Sequence, residues 1–132
     1  MPMDPRPPVL LTAPAERTSV RLARILAAGV AADAGLSIDD TEDLRIAVSE
    51  LVALLVDGAE VPGQSIVVRY SRAAGQVVVD GERPANGADD GANAAVDDLA
   101  LEILRVVVDD HSFDADAEGR RFHLVKRARV ST

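Results

Sequence analysis

The chain has 132 residues, with 14 Lys+Arg against 22 Asp+Glu, a formal net charge of −8 and a pI near 4.6. That length suits one compact domain with a core of its own, and the acidity argues against a nucleic-acid binder, which needs a basic surface. The lack of cysteine excludes a disulfide framework, a cysteine nucleophile and a thiolate metal site, and His111 and His123 alone leave little for a zinc enzyme.

Met1 to Pro8 holds Pro2, Pro5, Pro7 and Pro8, a stretch that cannot be helical and reads as a flexible tail ahead of a single domain over 9–130. It has no apolar signal core, and no apolar run nears the roughly 18 residues of a membrane span, so the expectation is a cytoplasmic protein. Val9 to Ala13 reads as a short strand. Pro14 suits the first turn of a helix that places Val20, Ala23, Ile25, Leu26 and Val30 near helical spacing and stops at Gly35. Ser37 then caps a second helix whose early turns carry Asp39, Asp40, Glu42 and Asp43, where the dipole favours negative charge. Leu44, Val48, Leu51 and Leu55 form its apolar stripe; Ile46, Val52 and Ala53 lie off it, so the helix is expected to be sandwiched in the core, ending near Gly58.

Ser65 to Ser71 and Val77 to Val79 form a hairpin about a turn at Ala73 to Gln76, the first strand reading as one covered on both faces. Gly81 to Asn93 reads as a long loop, of a length that is often functional. A third helix over 97–108 presents Leu99, Ile103 and Val106, with Leu101, Leu104 and Val108 widening that face. The chain closes by pairing Val107-Val108, or His111 to Phe113, with Arg121 to Val125 across a turn at Asp114 to Gly119. Phe122, Leu124 and Lys126 should share one face of the last strand. The resulting expectation is a two-layer α/β sandwich with a mixed, mainly antiparallel sheet and about three helices on one face. Its core must be aliphatic, since Tyr70, Phe113 and Phe122 are the only aromatics.

Asp43, Glu50 and Asp57 recur every seven residues and share a narrow face of the second helix beside Leu54. Glu50 could serve there as a general base or a Mg²⁺-associated carboxylate; the plainer alternative is a solvated edge. Asp80 could accept a hydrogen bond from an adenine amino group, although Asp80-Gly81 is also a common turn pair. Asp97 and Asp98 read as helix caps.

The stretch Thr41 to Leu51, TEDLRIAVSEL, resembles the N-box helix of the anti-sigma factor/serine-protein kinase family of the GHKL (Bergerat-fold, histidine-kinase-like) ATPases, closest to divergent actinobacterial members. The closing segments 109–113 and 119–126 match in order and spacing. The resemblance implies a Bergerat-type fold, Glu50 at the position of the catalytic acid, and Asp80 with Gly81 at the adenine-reading motif. It also places Asp98 and Ala100 where the family has two phosphate-cradling glycines. The departures point to an eroded site. Leu54 stands where the family has a metal-binding Asn and offers Mg²⁺ no oxygen. The motif expected as D-x-G-x-G reads Asp80-Gly81-Glu82-Arg83-Pro84. An Asp98 carboxylate about 5 Å from a phosphate would cost about 3 kcal/mol at an effective dielectric near 20.

The sequence therefore predicts a regulatory protein-binding module: an anti-sigma factor acting in transcription regulation by sequestration, without resident cofactor or metal. The resemblance implies a sigma factor and a STAS-type anti-anti-sigma protein as partners, and a homodimer. The alternative is an active serine-protein kinase using ATP and Mg²⁺, with Glu50 as base and Asp80 reading adenine, that phosphorylates the anti-anti-sigma partner.

Overall fold

The computed structural model describes residues 4–59, 63–85 and 96–129. In chain order it contains β1 (Val9–Pro14), α1 (Thr18–Asp33), α2 (Ile38–Val56), β2 (Ser65–Ala73), β3 (Gln76–Pro84), α3 (Asp98–Val107), β4 (Asp110–Asp116) and β5 (Gly119–Arg127). The strands form one sheet in the order β1-β2-β3-β5-β4. Every strand pair among the described residues is antiparallel, so the parallel component expected of a mixed sheet does not appear.

The core lies between the sheet and the helices. Leu44, Val48, Leu51 and Leu55 of α2 are fully buried, as their spacing requires, against Ile66, Val68, Val77, Val79 and Leu124 of the strands. Ser37 caps α2 by accepting the Asp40 N–H at 3.0 Å. Val52 is buried too, but Ile46 and Ala53 are exposed, so α2 is not enclosed on all sides. Tyr70, also fully buried, donates its hydroxyl to Ala23 O of α1 at 2.7 Å, and burial pushes its pKa up.

Several boundaries differ from the sequence reading. Pro14 ends β1, opposite Ser65, and α1 begins four residues later; β1 is an edge strand, where a proline costs no ladder bond. β2 is not covered on both faces, since its residues alternate between buried and more exposed. β3 does not stop at Asp80. It continues to Pro84, because β2 pairs with it as far as Glu82 and β5 along its whole length, and this pairing outweighs the local Asp-Gly turn signal. The rest of the expected loop, 86–93, lies outside the described residues, as do Met1 to Met3 of the tail. Asp4 of that tail donates its N–H to Arg72 O at 2.7 Å, and its carboxylate, bonded by Arg6, has its pKa lowered to about 2.

The apolar face of α3 is also rotated. Ala100, Leu104 and Val107 are buried, whereas Leu99 and Val106 are 72% and 74% exposed. Of the two closing-strand alternatives, the second holds: β4 begins after Val108, which is buried at the end of α3. Phe122, Leu124 and Lys126 do share the helix-facing side of β5.

Lys126 reaches an acidic pair at the start of α2, the buried Asp40 and the half-buried Asp43. Its Nζ lies 3.4 Å from both Asp40 Oδ1 and Asp43 Oδ2, and Arg129 donates its N–H to Asp40 Oδ2 at 3.0 Å. Burial raises the Asp40 pKa, but the Arg129 N–H, the Lys126 charge and Ser37 outweigh it, and the net shift is downward.

Candidate functional site

α2 carries Glu50 and Leu54 along one edge, and Asp57 follows as its C-cap residue, in extended conformation. They open onto a cleft of about 820 Å³ between the end of α2, the segment leading into α1 and the start of α3. Glu50 and Leu54 are half-buried on its wall, and Asp57 is exposed at its mouth. Asp97 and Ala100 close the α3 side. Asp97 caps α3 by accepting the Ala100 N–H at 2.8 Å, so this helix end spends one of its free donors on the chain's own carboxylate. Asp98 is exposed in the first turn of α3 and does not line the cleft.

Two arginines that the sequence reading passed over tie the sheet to the end of α2. Arg83 of β3, fully buried, donates from Nη1 to Asp57 O at 3.0 Å. Arg120 of β5, also buried, donates from Nη1 to Leu54 O at 2.8 Å. Both acceptors belong to the C-terminal turn of the helix, where unsatisfied carbonyls and the dipole favour a cation. The signal was available in principle: Arg83 lies two and three strand repeats beyond Val79 and Val77 and so faces the same way. It became visible only once β3 was seen to continue past Gly81.

The same alternation separates Asp80 from Glu50. Val77, Val79, Gly81 and Arg83 face the helices, and Asp80 therefore faces the open side of the sheet. There its Oδ1 lies 2.7 Å from His123 Nδ1 in the register partner on β5. Both side chains are roughly half exposed and line a second pocket, of about 370 Å³, with Arg69, Ser112 and Arg121. The structure thus brings Glu50, Leu54 and Ala100 together but leaves Asp80 on the other side of the sheet. Gly81 is inward but has a packing role: a Cβ there would meet Phe122 Cε2 at 2.3 Å. Asp43, the third acid of the α2 series, is engaged with Lys126 and Arg129 two turns from the cleft. No cluster of three or more His, Cys, Asp or Glu side chains suited to a metal occurs among the described residues.

A family model described as the histidine kinase-like ATPase domain matches residues 13–126. The chain belongs to this family. Among solved structures, the histidine kinase-like ATPase domain here is similar to the crystal structure of the RsbU and RsbW domains of Rv1364c from Mycobacterium tuberculosis. The two share 24% sequence identity with a TM-score of 0.68, over 97% of this chain and 35% of that one. That likeness is one of fold, and the chain spans about a third of the neighbour's length. No curated protein sequence matches. The five-stranded antiparallel sheet with α1, α2 and α3 packed on it is therefore a histidine kinase-like ATPase fold, and no helix of the described residues is long and apolar enough to cross a membrane.

Proposed function

We propose that this domain is a regulatory protein-binding module, an anti-sigma factor that sequesters its sigma subunit stoichiometrically and is released by a STAS-type anti-anti-sigma protein. The RsbW domain named in the structural neighbour supports this class of partner. The observation that supports the non-catalytic reading is the separation of the positions that the family resemblance assigns to a nucleotide site. Glu50 stands in the cleft beside Leu54, which offers Mg²⁺ no oxygen, while Asp80 pairs with His123 on the opposite side of the sheet. An adenine bonded to Asp80 could not bring its phosphates to Glu50 without passing through the sheet.

Titration of the full chain against sigma factors of the source organism tests this directly. Saturable, stoichiometric binding to one of them is expected; binding to none removes the proposal. The second reading, an ATP-dependent serine-protein kinase, is favoured by Glu50 lying half-buried in the cleft, as a general base would. A thermal shift separates the two. Ligand at 100 times its Kd adds about 2.7 kcal/mol, so a clear shift with ATP and Mg²⁺ favours the kinase and no shift favours sequestration.

A further inference from the structure

The free side of the edge strand β1 is unguarded. The bond from Ala15 N–H to Gln64 O at 2.9 Å fixes which backbone groups face β2. By alternation, residues 9, 11 and 13 also turn their N–H and C=O groups to β2, and those of Leu10 and Thr12 point away from the sheet. Among the described residues nothing bonds these outward groups. Pro14 has no N–H to leave unpaired, and its O accepts the Ser19 hydroxyl at 2.7 Å. β1 carries no charged side chain and leaves Leu10 54% exposed. The opposite edge is different: β4 carries Asp110, Asp114 and Asp116, which repel a second copy of themselves.

We propose that β1 pairs antiparallel with β1 of a second copy of this chain, about a two-fold axis through Leu11, and joins the two five-stranded sheets into one. That register sets Leu10 opposite the partner subunit's Thr12 and Thr12 opposite the partner subunit's Leu10. Each pair exchanges both its hydrogen bonds, so no outward N–H or C=O of these residues stays unpaired. Pro8 and Pro14, each three residues from Leu11, meet at the two ends and stop the ladder there. The helix layer agrees. α1 packs mainly on β2 and β1, and α2 mainly on β5 and β3. Arg17 and Val20 share the cleft wall with Glu50 and Leu54, so α2 lies on that flank of α1. At about 3.6 residues per turn, Leu22 and Gly29 lie on the opposite flank, toward the β1 edge. Leu22 is 49% exposed, and Gly29 has open space around it. Paired strands stand about 4.8 Å apart and packed helices about 8–10 Å apart, so a helix lying between β1 and β2 meets its copy across the two-fold. The pairing closes on itself, and only the acidic β4 edges remain free, so assembly stops at two. This interface lies on the other side of α1 from the cleft and holds whether or not the cleft binds a nucleotide.

Sedimentation velocity of the full chain over a range of concentrations tests this, with thermal unfolding by circular dichroism to confirm that each variant folds. Wild type should sediment as a dimer. Thr12→Pro removes an outward N–H and leaves the β1–β2 bonds in place. It should raise the dimer dissociation constant about thirtyfold or more, through the two hydrogen bonds lost across the two-fold. Leu22→Glu, away from the ladder, should weaken the dimer about tenfold by setting like charges against each other. Val78→Lys, on the open face of the sheet, should leave the dimer unchanged. A wild-type monomer at every concentration, an unchanged dimer in T12P or L22E, or a dimer lost in V78K overturns the proposal, the last by moving the interface to the open face. If T12P does not fold, Leu10→Lys takes its place: the charge at the seam should weaken the dimer, and an unchanged dimer overturns the proposal in the same way.

Discussion

Replacing Gly81 with alanine tests why β3 carries no side chain at that point. A methyl group there would lie 2.3 Å from Phe122 Cε2, 2.8 Å from Cζ and 2.9 Å from Cδ2. Carbon contacts settle near about 3.5–4.0 Å, so the ring must retreat by roughly 1 Å or more. Phe122 is 3% exposed, and its strand is paired on both sides, so it can retreat only by displacing core neighbours. Overpacking of this depth costs about 3 kcal/mol, partly offset by the roughly 0.4–1 kcal/mol that alanine recovers by restricting the unfolded chain. The net expectation is a loss of about 2 kcal/mol, or a Tm lower by about 7 °C for a chain of this size. Urea and thermal unfolding followed by far-UV circular dichroism measure it. Phe122→Leu opens the space, so the double variant G81A/F122L should be no less stable than F122L alone, a coupling of about 2 kcal/mol in the cycle. If G81A costs under about 0.5 kcal/mol, or adds to F122L without coupling, the packing explanation is wrong. An intact fold that then binds ATP more weakly would return Gly81 to the role the family resemblance implies.

Other consequences of the structure are equally direct. Leu104→Ala should cost about 3 kcal/mol by opening a cavity under α3, while Leu99→Ala stays within about 0.5 kcal/mol; denaturant midpoints compare the two. Tyr70→Phe removes the bond to Ala23 O and should cost about 1 kcal/mol, visible as a lower midpoint in the same assay. Lys126→Met strips a buried cation from Asp40 and Asp43 and should cost about 3 kcal/mol at neutral pH. Because the folded-state pKa of Asp40 is depressed, its contribution is present above the unfolded value of 3.8 and lost as pH falls through the lower folded value. The gap between wild type and K126M should therefore narrow as pH drops below 4, and acid titrations of both proteins would show whether it does.

Much of the fold was legible because local rules and tertiary packing agree. The Ser37 cap, the acids of the first turn and the Leu44-Val48-Leu51-Leu55 stripe specify α2 without help from the rest of the chain, and all four stripe residues are fully buried. The site was less legible. Leu99 and Val106 are as apolar as Leu104, so hydrophobicity could not choose among faces of α3 that differ by about one residue, or 100°. Asp80-Gly81 carries a turn signal, and reading it as a strand exit hid both the outward direction of Asp80 and the inward direction of Arg83.

The sequence by itself determined the order of elements, the capped α2 and the family, since each rests on residue type or on spacing within one segment. The tertiary structure decided which side of the sheet each β3 residue occupies. A strand's side chains alternate with a period of two, and its length and register are set by its neighbours β2 and β5. That parity sends Asp80 to His123 and Arg83 to the end of α2.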